Sequence, residues 1–121
     1  FSEACGYSGM KEFLKRDEKP DAVFATSDIQ AIGAMQAVRE AGLNVPEDIQ
    51  IIGFDDLPMS RHLGLTTLRQ PMHDIGSRAF DLLIERIQRP DTPVAHTVFA
   101  PSLIERQTTR RETVHNLETA S

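Results

Sequence analysis

Residues 21–56 read DAVFATSDIQAIGAMQAVREAGLNVPEDIQIIGFDD, a strand, a helix and a strand in succession. Ala22 to Ala25 is a short apolar run without polar alternation, the pattern of a strand buried on both faces. Ile49 to Phe54 is a second run, broken only by Gln50 and Gly53. Between them Ser27 or Asp28 can cap a helix, Ile32, Met35 and Val38 form an apolar stripe, and Gly42 suits the helix stop. Gly33, Ala37 and Ala41 form a second stripe of small residues, which lets a helix sit close to its neighbour. Two strands joined by one helix lie parallel with a right-handed crossover. Their carboxyl ends then share one edge of the sheet, where open α/β sheets bind ligands. Thr26, Ser27 and Asp28 leave the first strand there, and Asp55 and Asp56 leave the second.

Working outward, Tyr7, Met10, Phe13 and Leu14 mark a helix without a clean cap signal, followed by a charged run that Pro20 closes. Residues 57–64 read as an irregular loop and 65–70 as a short strand. Residues 72–88 are the clearest helix, with Ile75, Ala79, Leu82, Leu83 and Ile87 on one face, widened by Phe80 and Ile84. Thr97 to Ala100 and Leu103 to Arg106 read as extended, and residues 110–121 as a mobile tail.

The 121 residues suit one modest domain or part of a larger one, and the chain starts at Phe1 as a fragment would. A net charge of −5 argues against this chain alone gripping nucleic acid; the one dense basic cluster is Arg106, Arg110 and Arg111. A single cysteine, Cys5, excludes an internal disulfide and fits a reducing, cytoplasmic compartment. No apolar run approaches the ~18 residues of a membrane span.

On an extended backbone Asp55 and Asp56 would point opposite ways, one toward a cleft and the other into the next turn. An ionised aspartate is a double acceptor suited to sugar hydroxyls or the N–H of a base. Turn formation alone accounts for the pair equally well. Ser27 and Asp28 divide similarly between helix cap and ligand contact. Phe1 and Phe24 are of the type that packs in a core or stacks on a sugar or purine. Nucleophile-elbow, P-loop and dinucleotide-binding patterns are missing, and the four histidines lack metal-ligand spacing. Asp55 with Asp28 and Thr26 could hold Mg²⁺ for phosphoryl transfer, a minor enzymatic alternative.

The motifs together are familiar. Residues 22–56, then LTTLRQP (65–71), DIGSRAFDLLIERI (74–87) and SLIERQTT (102–109), closely resemble the C-terminal part of the effector-binding region of LacI/GalR-family transcriptional regulators. The resemblance covers residues 1–109 and implies the type I periplasmic-binding-protein fold. That fold has two α/β subdomains, a ligand cleft between them and three crossing strands; the chain holds only part of each. In such regulators a sugar or nucleoside-like metabolite in the cleft shifts the subdomains and so an N-terminal helix-turn-helix headpiece on operator DNA. By position, Asp55 resembles the principal effector-binding acid, Phe1 an aromatic against the effector, Ser27 a polar contact, and Gln70 a crossover-strand residue near the cleft. Asp28 resembles the helix cap beside the site, and Asp56 a structural residue. The helix 29–41 and the loop after Asp56 resemble a homodimer surface, with Ile32, Met35, Gln36, His62 and Leu63 on it. No cofactor, metal or catalytic residue is implied. The loop 57–67 is shorter than the family's usual spacing, and the headpiece, hinge and first half of the region lie outside the sequence. A solute-binding protein of a transporter would share this fold and is the alternative from another class.

Overall fold

The computed structural model describes residues 1–111. Its elements follow in the order α1 (Glu3–Leu14), β1 (Ala22–Phe24), α2 (Asp28–Glu40), β2 (Gln50–Phe54), α3 (Pro58–His62), β3 (Thr66–Arg69), α4 (Met72–Gln88) and β4 (Ser102–Ile104). The strands form one sheet in the order β1-β2-β3-β4. The first three are parallel, and β4 runs antiparallel to β3. The βαβ unit read from residues 21–56 is therefore present, with Phe24 beside Ile52 and Phe54 beside Leu68 in register.

Alternation along β2 explains where the core sits. Ile51 and Gly53 are buried, while Gln50, Ile52 and Phe54 on the opposite face are half-buried. Helix α2 covers the first face, and α1 packs across α2. The buried cluster is Met10, Ala31, Ala34, Ala37, Val38, Ile49, Ile51 and Leu65. Three of its members are alanines of α2, so the helices approach almost to backbone contact. A Cβ built on Gly6 would fall 2.0 Å from the Gln30 carbonyl oxygen, and one on Gly33 2.0 Å from that of Glu3. Of the expected small stripe, Gly33 and Ala37 are buried, while Ala41 is exposed beyond the helix end. Gly42 follows with φ +75°, the left-handed residue that ends α2.

Several expectations change. Helix α1 does have a cap: the Ser2 hydroxyl accepts from the Cys5 N–H at 3.2 Å. It ends at Leu14, before the charged run reaches Pro20. The strand at Ala22 is not buried on both faces. Among the described residues it pairs only with β2, and Phe24 is 55% exposed, its ring edge-on to Phe54 at 6.4 Å. Residues 57–64 contain the short helix α3, whose Pro58 suits a first helical position. Of the two extended segments near the end, only Ser102–Ile104 forms a strand.

Helix α4 has the bounds expected of it, yet none of its residues is buried, and Phe80, Leu83 and Ile87 are more than half exposed. Its face is amphipathic, and the segment 95–99 lies along it, beside Ile75, Ala79 and Leu82. The C-terminal segment, by contrast, is built in. Thr108 accepts from the Thr66 N–H and donates to the Ile51 carbonyl through its hydroxyl, and its own carbonyl accepts from the Ile51 N–H. Arg110 N–H donates to Gln50, at the start of the expected tail; residues 112–121 of that tail lie outside the described residues.

The helix crossing gives a direct test. Gly33→Ala should destabilise the fold by about 2 kcal/mol through overpacking against the α1 backbone. Gly9→Ala, in the same layer but with open space around its Cα, should be neutral or stabilising by up to about 1 kcal/mol. Urea unfolding followed by far-UV circular dichroism distinguishes the two.

Candidate functional site

The carboxyl edge of the parallel strands is where the polar residues gather. Ser27 is the N-cap of α2: its hydroxyl accepts from the Gln30 N–H at 3.3 Å, on an extended backbone with φ −153°. This settles which of the two candidates caps the helix. Asp28 is not the cap. Its carboxylate turns inward, fully buried, and receives the Thr67 hydroxyl at 2.5 Å on Oδ1. On Oδ2 it receives the Leu57 N–H at 2.8 Å and the Ser60 hydroxyl. Gly53 makes the approach possible, since a Cβ there would stand 2.3 Å from the Asp28 Oδ1.

Asp55 and Asp56 do not lie on extended backbone. Their φ angles are +115° and +53°, so two consecutive non-glycine residues occupy the left-handed half of the map. The side chains still diverge. Asp55 is exposed at the edge, and Gln70, just beyond β3, donates its Nε2–H to the Asp55 Oδ1 at 3.1 Å. The Asp55 N–H is fixed to the Leu68 carbonyl at 2.9 Å. Asp56 faces away and is gripped by two arginines. Arg69 reaches Oδ2 at 2.6 Å, and Arg106 reaches Oδ1 at 2.6 Å while donating also to the Leu65 carbonyl. Burial pushes the Asp56 carboxyl up. The hydrogen bonds and charges of Arg106 and Arg69 outweigh it and hold the group below its ordinary value of 3.8.

The sequence-predicted residues thus separate. Ser27, Asp55 and Gln70 share one sheet edge, and Gln70 touches Asp55. Ser27 is buried and committed to its cap, whereas Phe1 is 94% exposed ahead of α1. Ile32, Met35 and Leu63 line one groove with Arg39, Leu43 and Val45. Gln36 lies one turn from Glu40 and donates to it, and His62 lines a separate depression with Asp56, Arg61 and Arg106. The Mg²⁺ arrangement fails on geometry, because Asp28 points into the core and is saturated by three donors. Thr67, Ser60 and Arg69 were not singled out from sequence, and Arg106 only as part of a basic cluster. Their partners lie 39, 32, 13 and 50 residues away, so no local spacing announces them.

Comparison with known proteins agrees with this architecture. Residues 2–109 match the model of the periplasmic binding protein-like domain. The chain belongs to that family. Within it the chain corresponds to the effector-binding region of LacI/GalR-type regulators. It is 38% identical over 109 residues to the HTH-type transcriptional repressor PurR of Edwardsiella ictaluri, covering 88% of this chain and 32% of that protein. It is 35% identical over 115 residues to the ribose operon repressor of Haemophilus influenzae, covering 93% and 33%. Among solved structures, a LacI family transcriptional regulator from Enterococcus faecium with bound ribose superposes with a TM-score of 0.75. It is 33% identical, covering 90% of this chain and 41% of that one. The chain spans about a third of the length of the curated relatives it matches.

The Asp56 clamp predicts a pH dependence. A carboxyl whose folded value is depressed stabilises the fold fully above its ordinary value of 3.8, and that contribution fades as pH falls below it through the folded value. Asp56→Asn should cost about 2 kcal/mol at neutral pH by leaving Arg106 half-satisfied. It should also flatten the acid limb of the urea midpoint measured against pH.

Proposed function

We propose that residues 1–109 are the C-terminal part of the effector-binding domain of a transcriptional repressor, which senses a small polyhydroxylated metabolite, a sugar by preference over a nucleobase. The observation that carries this is Asp55. Its carboxylate stands exposed at the carboxyl edge of a parallel sheet, oriented by Gln70, in a chain that matches sugar- and metabolite-named repressors along nearly its whole length. An ionised carboxylate with one oxygen already holding an N–H still presents free lone pairs to vicinal hydroxyls.

In this reading Asp55 accepts from effector hydroxyls, and Gln70 sets its rotamer and adds an amide donor or acceptor. Phe1 offers an uncovered ring for an apolar sugar face. Ser27 contributes through whatever hydrogen-bonding capacity its cap leaves. The opposite wall of the cleft belongs to the other subdomain, and the helix-turn-helix headpiece that meets operator DNA is a separate N-terminal unit. The groove of Ile32, Met35 and Leu63, with Gln36 on the same helix and His62 beside it, is the homodimer contact. The protein acts in the cytoplasm and as a binding protein, without catalysis.

The reading is tested on the longest natural polypeptide that carries this chain. Operator affinity should change when one sugar from a panel of pentoses and hexoses is added. Asp55→Ala should weaken that sugar's binding by about 2 kcal/mol, the cost of losing a charged acceptor, without altering the circular dichroism spectrum. Calorimetric titration measures it. Unchanged sugar affinity in Asp55→Ala would remove the assignment.

A further inference from the structure

We infer that the buried Asp28 carboxylate is a positioning residue for the ligand edge: it holds the left-handed Asp55–Asp56 turn and so fixes the direction in which Asp55 leaves the sheet. The inference rests on the assignment of Asp55 as the effector acid.

A left-handed φ at two consecutive non-glycine residues persists only where surrounding contacts over-determine it. Arg69, Arg106 and the Leu68 carbonyl supply some of these contacts, and two more converge on Asp28. Two consecutive amides, those of Asp56 and Leu57, run to its carboxylate. Downstream, Oδ2 binds the Leu57 N–H and the Ser60 hydroxyl. From the neighbouring strand, Oδ1 binds the Thr67 hydroxyl, whose oxygen accepts from the Asp56 N–H at 3.3 Å. The turn is thus tied on one side through Thr67 of β3 and on the other through Leu57. Both ties end on one side chain that α2 carries into the core.

All three donors to Asp28 are neutral, and the group is completely buried. A buried carboxylate is retained only when such donors surround it. A helix first turn needs no inward acid for capping, since Ser27 already serves α2. The hydrogen-bonding capacity of Asp28 is therefore directed to the turn. Gly53 fits the same account, because any side chain there would collide with the Asp28 Oδ1.

The test compares Asp28→Asn, Thr67→Val and Thr67→Ser in the longest natural polypeptide carrying this chain. Amide hydrogen exchange by mass spectrometry is read on a peptide spanning 53–58 against one spanning 31–38 of α2. Neither the Asp55 nor the Leu57 amide bonds to Thr67, so faster exchange at both reports release of the turn rather than a lost local bond. Thr67→Val should speed exchange in 53–58 at least tenfold relative to 31–38, and Thr67→Ser should restore it. Asp28→Asn should do the same where it folds; Thr67→Val keeps shape and carries the test where it does not. D-ribose binding should weaken in parallel by about tenfold and recover in Thr67→Ser. Unchanged exchange in 53–58, or exchange that rises equally in both peptides, overturns the inference. So does released exchange with full ribose affinity in Thr67→Val, provided Asp55→Ala weakens that affinity. If the wild type does not bind ribose, the sugar assignment fails on its own, and the exchange pattern still decides whether Asp28 holds the turn.

Discussion

The structure depends on one buried carboxylate. Asp28 begins α2 yet places its side chain beneath the β2–α3 turn, where water cannot reach it. An aspartate in that position is costly unless donors replace the lost hydration. Here the donors come from β3, from the turn and from α3. The start of α2, strand β3, the turn and α3 are thereby held to a common point. The surrounding core is built to admit it. Gly53 leaves the space, and the alanines of α2 let the helix lie close enough to reach.

The neighbouring aspartates show how the same residue type takes different work from its surroundings. Asp56 is consumed in two ion pairs, one of them with Arg106 from the last segment of the described chain. That segment is itself threaded beside β2 and β3 through Thr108. The last described segment is in this way locked beside β2 and β3. Asp55 is the one left facing solvent, with Gln70 as its orienting partner. Rigidity behind and exposure in front suit the acceptor role proposed for Asp55, since a ligand then need not order it.

The sheet has unequal faces. Helices α1 and α2 cover one, while Phe24, Ile52, Phe54, Leu68 and Leu103 on the other are half-buried or exposed. Helix α4 likewise shows its apolar stripe to solvent among the described residues. Apolar surface of this extent marks a meeting place with further protein. It agrees with a domain whose two halves meet at crossing strands, and with relatives about three times as long.

What the sequence alone determined is the βαβ unit, the span of α4, the Gly42 stop and the placement of Asp55 at the carboxyl edge of the sheet. Each is legible because its cause is local: an apolar run, a helical period, a cap residue, a chain that must return parallel. Tertiary structure decided the rest. The roles of Ser27 and Asp28 could not be separated by pattern, because either residue caps a helix equally well in isolation. Only the proximity of Thr67, Ser60 and the Leu57 amide, all distant in sequence, draws Asp28 inward. The left-handed turn at Asp55 and Asp56 was invisible for the same reason. No glycine marks it, and the strain is sustained by hydrogen bonds and ion pairs that exist only once the strands have assembled.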